Sequence, residues 1–262
     1  VRIFIFFILV SFQCFSQTDT LTVTKQDQEF LSVDHFWGKD SFKYIYSSKN
    51  NTLYKTGNQQ KFQYKNVGLG AIYNVDLLNP LELTLFYKNF NTVVKLDNNL
   101  NEIISINFTQ LSNFKNIAFA TTSIEQHLWI FNSDTQQLEL FNYNTKKSKV
   151  IGQPIQEDVI DMKSDYNFCW LLSTKFIYKF NIYGALLQRI PFTGGKGLSI
   201  NNENVLVSSE SGIFYFQKNS ENTFILNLSN NFGGDIFLTN DSLYIYAGDF
   251  LTHYKLQTPK KQ

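Results

Sequence analysis

The chain has 262 residues, of which 43% are hydrophobic and 16% aromatic, including 26 Phe and 14 Tyr, and only 17% are charged, a balance that excludes a disordered chain and leans toward strands. Its 23 basic and 22 acidic residues nearly cancel, so no strong field steers it to nucleic acid or to an anionic membrane, and nucleic acid is not expected as a partner. The length suits one large all-β domain.

Residues 1–16 read as a signal peptide. Arg2, the apolar run from Ile3 to Val10 and a polar stretch ending at Ser16 have the layout of a secretory leader, with Cys14 and Ser16 as the small residues before a cut at Gln17. The alternative makes Cys14 a lipidated residue, but Gln13 stands where a small side chain is expected. The apolar run is half of the ~20 residues needed to cross a bilayer, so no transmembrane segment is expected in the mature chain. Export to the periplasm or cell surface follows, with residues 17–262 as a single mature domain. Once the leader is removed, Cys169 in the apolar stretch FCWLLS has no partner for an internal disulfide and reads as a small buried side chain. The Lys-rich end, Thr258 to Gln262, reads as a solvated tail.

From Phe30 onward a short apolar stretch recurs about every 40 residues, each time opening a unit whose further strands follow in the same order. The six openers are Phe30 to His35, Leu69 to Val75, Asn116 to Thr122, Asp158 to Lys163, Gly197 to Asn202 and Gly234 to Thr239. A second apolar strand follows each, from FKYIYS (Phe42 to Ser47) in the first unit to SLYIYA (Ser242 to Ala247) in the last. Polar turns such as SSKNN and NSDTQ then lead into third strands such as TVVKL (Thr92 to Leu96), so each pair is a hairpin. A fourth, more polar strand completes five units, as in IISINF (Ile103 to Phe108) and LLQRI (Leu186 to Ile190). The sixth unit lacks one, while LTVTK (Leu21 to Lys25) is spare ahead of the first opener. Four-stranded units repeated radially make a β-propeller, so the expected fold is all-β with six four-stranded blades, the last closed by the N-terminal strand. Five or seven blades are the runners-up, and a pair of β-sandwiches is third because it leaves the period unexplained.

The turns after three of the third strands share a register: KLDNNLNEI (Lys95 to Ile103), LFNYNTKKSKV (Leu140 to Val150) and KFNIYGALLQRI (Lys179 to Ile190) each carry an apolar strand ending in Asp or Asn, then a polar or Gly turn. This pattern resembles NHL-like and YVTN-like propeller repeats over the whole mature chain. The Gly-His and Trp-Asp pairs of WD40 repeats, the kelch Gly-Gly and the sialidase Asp-box are absent. The abundance of Asn, Lys, Phe and Ile, with a leader ending in FSQ, resembles exported proteins of Bacteroidota.

Candidate chemistry is sparse. His35, His127 and His253 fall on different strands of different units, so no spacing aims two imidazoles at one metal, and no metal or cofactor is expected. Asp158 and Asp161 share one inner strand, with Asp76 and Asp235 at or near others, where carboxylates line a central channel. The clusters TGGKG (Thr193 to Gly197) and NFGGD (Asn231 to Asp235) lack the spacing of a phosphate loop and are expected to supply positive φ between blades. Trp129 and Trp170 occupy matching second-strand positions and read as packing between blades, whereas Trp37 in HFWGKD is expected at an exposed turn as an anchor. Trp37, Lys196, Asp235 and Asp158 are therefore the expected binding residues. The expected function is a non-enzymatic binding or scaffold propeller of the cell envelope that docks a protein partner, with an outer-membrane assembly as one setting. The alternative is a propeller hydrolase or lyase acting on a carbohydrate or peptide.

Overall fold

A computed structural model describes residues 19–220, 222–228 and 233–257; the expected leader, with Cys14, and the Lys-rich end lie outside the described residues. Two strands precede the repeats, β1 (Asp19–Leu21) and β2 (Val23–Phe30). Blade 1 is β3 (His35–Lys39), β4 (Ile45–Lys49), β5 (Thr52–Gly57) and β6 (Gln60–Tyr64), and blade 2 is β7 (Asn74–Asp76), β8 (Glu82–Tyr87), β9 (Thr92–Asp97) and β10 (Glu102–Asn107). Blade 3 is β11 (Ile117–Thr122), β12 (His127–Asn132), β13 (Gln137–Asn142) and β14 (Lys147–Ile151), and blade 4 is β15 (Val159–Ser164), β16 (Phe168–Ser173), β17 (Phe176–Asn181) and β18 (Leu186–Pro191). Blade 5 is β19 (Gly195–Asn201), β20 (Asn204–Ser209), β21 (Gly212–Phe216) and β22 (Thr223–Leu226), and blade 6 is β23 (Asp235–Leu238), β24 (Ser242–Ala247) and β25 (Phe250–Leu256).

Each blade is an antiparallel meander, and β2 pairs antiparallel with β25 as the fourth strand of blade 6. The protein is a six-bladed β-propeller with four-stranded blades. The closing strand is longer than LTVTK and begins later: Leu21 belongs instead to β1, which lies parallel to β22 as a fifth strand on blade 5. The first opener is also displaced. Phe30 ends β2 opposite Phe250, and the chain crosses to blade 1 before its inner strand starts at His35.

Burial falls from the middle of each blade outward. Second strands such as ELTLFY and FCWLLS are buried along almost their whole length because neighbouring blades cover both of their faces. Outermost strands such as β18 stay exposed, which accounts for their polar sequences. Six hydrophobic clusters fill the six junctions between adjacent blades. Trp129 packs in the cluster between blades 3 and 4, where its indole N–H donates to Asp165 O of blade 4 at 3.3 Å, and Trp170 packs in the cluster between blades 4 and 5. Cys169 is fully buried in the first of these, and burial pushes its thiol far above the usual range.

Turn chemistry explains the shared register. Asp97 Oδ1 accepts from the N–H groups of Asn99 and Asn101, Asn142 Oδ1 from Asn144 and Thr145, and Asn181 Oδ1 from Tyr183 and Ala185. A short side chain ending in oxygen closes each of these turns on its own backbone, which is why Asp or Asn recurs there. Lys95 and Lys179, two residues earlier, sit opposite the middle of their second strands and are buried. Lys95 Nζ lies 3.1 Å from Glu82, and Lys179 Nζ lies 2.5 Å from Glu203 of the next blade.

Candidate functional site

Inner strands alternate between wall and lumen. Aligned by their pairing to the second strands, the six blades place His35, Asn74, Phe119, Asp161, Gly197 and Asp235 at one level, and Gly38, Asp76, Thr121, Lys163, Ser199 and Phe237 at the next, two residues further along except in blade 1, where it is three. The residues between these levels, among them Val75, Met162 and Leu198, are buried in the blade junctions. Most residues of the two levels, though not His35, Gly38 or Phe119, line a cavity of about 1150 Å³ that opens where first strands lead into second strands, with Lys39, Leu78 and Asn240 near its mouth. A smaller cavity of about 260 Å³ opens at the opposite face. Trp37, Asn74, Asp161, Lys163, Lys196 and Asp235 line both, so they form the waist.

β-bulges set some of these side chains. Ala118, Ile160 and Lys196 are the extra residues of bulges at one level of blades 3, 4 and 5, and Trp37 is the extra residue of a deeper bulge in blade 1. A bulge re-aims a side chain without ending the ladder. Trp37 is thus within the inner strand rather than at the turn after it; it is half-buried, packs against the cluster between blades 1 and 2 and lies with its ring tilted 34° to that of His35, centroids 5.2 Å apart.

The channel carboxylates hold the ring together. Asp161 Oδ2 accepts from Leu198 N of the next blade at 2.7 Å, and Asp235 Oδ2 from Phe36 N at 2.9 Å, the same bond at equivalent positions. One level deeper, Asp76 Oδ2 accepts from Thr122 N at 2.6 Å and Ser199 Oγ from Leu238 N at 2.8 Å. The other oxygens of Asp76 and Asp161 accept from Leu78 N and Met162 N. Lys163 Nζ reaches past blade 3 to Asn74 Oδ1 of blade 2 at 3.0 Å.

Of the four expected binding residues, the structure brings Trp37, Lys196 and Asp235 together at the waist and leaves Asp158 outside it. Asp158 is exposed just before β15, and its carbonyl accepts from Thr174 N. Asp161, Lys163 and Asn74 take the lumen positions; the alternation of β15 from Asp161 is the sequence signal that marks them. The glycine clusters split by role. Gly194 has φ +76°, as expected of a crossing, whereas a Cβ on Gly234 would collide with Tyr246 O.

The three histidines stay apart, and among the described residues no group of three His, Cys, Asp or Glu side chains converges to hold a metal ion. His253 stands between Asp27 Oδ2 at 3.1 Å from Nδ1 and Ser242 Oγ at 3.0 Å from Nε2, stacked flat on Tyr244. That connectivity matches a carboxylate, base and nucleophile series. Here Ser242 Oγ also bonds Asp241, and Asp27 lies exposed on the outermost strand, so the series fastens β2 to blade 6.

One loop face carries apolar side chains. Crossings between blades and turns between second and third strands open on the same face, and there Val67, Tyr73, Phe90 and Phe114 of blades 2 and 3 are exposed. The loops of Phe90 and Phe114 are fixed from below. Asn91, at φ 49°, donates through its side chain to Lys115 O at 2.5 Å and accepts from Ile117 N at 3.0 Å, tying the turn of Phe90 to the crossing of Phe114. Lys115 turns inward to Glu139 at 2.7 Å, both buried, while its neighbour Phe114 faces out.

No family model matches the chain, and no curated protein matches it in sequence. Solved structures do. Virginiamycin B lyase from Staphylococcus aureus with quinupristin aligns at a TM-score of 0.60 and 10% identity, covering 92% of this chain and 96% of that one. The Pan2 WD40 domain from Neurospora crassa aligns at 0.57 and 9%, covering 87% and 76%. PorZ, an essential bacterial surface component of the type-IX secretion system of Porphyromonas gingivalis, aligns at 0.53 and 14% over 84% of this chain but 32% of its own. At these identities the likeness shows the β-propeller fold alone.

Proposed function

We propose that this protein is a non-enzymatic binding propeller, exported to the cell envelope, that docks a partner protein through the loop face of blades 2 and 3. The observation that carries the reading is the exposed group Val67, Tyr73, Phe90 and Phe114, with the loops of Phe90 and Phe114 anchored by Asn91 and by the Lys115 to Glu139 pair. Large apolar side chains exposed together on one pre-ordered face are the usual mark of an interaction site, and rigid aromatic anchors lose little entropy on binding. The leader expected in the sequence supports the envelope setting, as does the likeness in fold to PorZ, a surface component of a secretion system. A narrower kinship with NHL-like or YVTN-like repeats is part of the same proposal.

An enzymatic reading through Asp76 and Asp161 is disfavoured, because both oxygens of each are bonded to backbone N–H groups, one local and one on the next blade. The test is affinity purification of the tagged native protein from envelope fractions, followed by mass spectrometry, beside a Phe90→Ser, Phe114→Ser double variant of unchanged melting temperature. A partner retained by the wild type and lost by the variant is expected. Equal recovery from both, or no stable partner from the wild type, overturns the proposal.

A further inference from the structure

The main channel cavity stands apart from the loop face, since it opens on the opposite side of the ring. Its volume of about 1150 Å³ is above the ~300–1,000 Å³ usual for small-molecule pockets, so it has room for a ligand of several linked rings, while the 260 Å³ cavity at the other mouth does not.

The lumen is mixed in charge. Lys163 is held by the neutral Asn74 amide, and among the described residues no carboxylate lies within ion-pair range of it, which leaves two of its three N–H donors for a ligand. Asp235, close by at the waist, has one oxygen on Phe36 N and the other available as an acceptor. Lys196 is paired only with the exposed Glu210, a contact that solvent weakens. A carboxylate ligand would meet Asp161 and Asp235 as well as the lysines, and an ammonium ligand would meet Lys163 and Lys196 as well as the aspartates. A hydroxyl both donates and accepts without net charge, so vicinal hydroxyls match this alternation. Trp37 and Phe237 add aromatic surface for the C–H faces of a sugar ring.

From this arrangement we infer that the channel is a saccharide-binding site, entered from the wide mouth, with Lys163 and Asp235 as its polar contacts and Trp37 as its aromatic wall. Trp129 and Trp170 are buried in blade junctions, so a ligand at the waist changes the fluorescence of Trp37 alone.

The experiment is a fluorescence titration of the full chain with a panel of neutral and amino-sugar trisaccharides, including maltotriose, cellotriose and chitotriose, with citrate and spermidine as charged probes. Saturation-transfer NMR on the wild type reads the same binding independently of any variant. At least one trisaccharide is expected to give a saturating change that Trp37→Phe abolishes, and Lys163→Met is expected to weaken it tenfold or more at an unchanged melting temperature. The inference is overturned if no trisaccharide of the panel binds by either method, if citrate or spermidine binds in their place, or if folded Lys163→Met binds as the wild type does.

Discussion

Gly38 shows how tightly one position is fixed. It lies at the lumen level next to Phe237 of blade 6, has φ +142°, and a Cβ there would enter the Phe237 ring. Gly38→Ala combines a backbone strain of about 1–3 kcal/mol with overpacking of similar size, so urea denaturation is expected to show a loss of about 3 kcal/mol. Adding Phe237→Ala should restore part of it by removing the overlap. Glu139 is a second such position. Burial pushes its carboxyl up, but hydrogen bonds from Lys115 and Asn132 outweigh that and hold it below its ordinary value of 4.5. A lowered carboxylate stabilises the fold above its unfolded value and stops doing so as pH falls through its folded value. Glu139→Gln leaves Lys115 buried without its counter-charge, so it is expected to cost about 3 kcal/mol at neutral pH. That gap should close as pH is lowered below the ordinary carboxylate range, measured by denaturation of both proteins across pH 3 to 7. The crossing that carries Phe114 should loosen in the same variant.

At the scale of strands, what the sequence reveals depends on burial. Strands β8, β12, β16, β20 and β24 stand at the bounds expected from their apolar runs, because both faces are covered and nothing interrupts the pattern. The inner strands are harder to read. Their lumen faces are polar and four of them carry bulges, so HFWGK in β3 looks like a turn, and β7 keeps only Asn74 and Val75 of the expected opener. Trp37 and Asp158 lie away from their expected places for that reason, whereas Lys196 and Asp235 stand at the waist, where glycine marks the crossings just before them. Parallel pairing of β1 with β22 has no local signature, since its partner lies some 200 residues away and only the folded ring brings them together. The closing strand invites its own test. His253→Ala removes the bonds to Asp27 and Ser242 and the stacking on Tyr244, and is expected to cost about 1–2 kcal/mol. Hydrogen exchange should speed up in β2 well before it does in β24, which stays covered; uniform acceleration of the whole blade would show that His253 supports the core and does not act as a clasp.

The molecule as a whole is a ring of six junctions, and they are unequal. Among the described residues, five have seven or more buried apolar residues in their clusters, whereas the junction of blades 6 and 1 has three, Phe36, Tyr246 and Leu251, with partly buried side chains such as Phe237 packed around them. The ring is closed within blade 6, where β2 pairs with β25, and the junction of blades 6 and 1 beside it has the thinnest buried apolar contact and relies on polar bonds. The Tyr246 hydroxyl donates to Val33 O at 2.7 Å and accepts from Val33 N at 3.2 Å, and Asp235 holds Phe36 N beside it. Tyr246→Phe leaves both polar groups of Val33 without this partner, at an expected cost of about 1–3 kcal/mol. The same exchange at Tyr87 provides the contrast. Its hydroxyl is buried in the junction of blades 1 and 2 with no hydrogen-bond partner among the described residues, so Tyr87→Phe is expected to be neutral or to stabilise by up to about 1 kcal/mol. If the ring opens where its apolar contact is least, native-state hydrogen exchange should find β3 and β23 the least protected inner strands and Tyr246→Phe should lower their protection selectively. Equal protection around the six inner strands, or a loss in Tyr246→Phe spread evenly over all blades, would mean that the propeller opens as one unit and that the thin junction is no weaker than the rest.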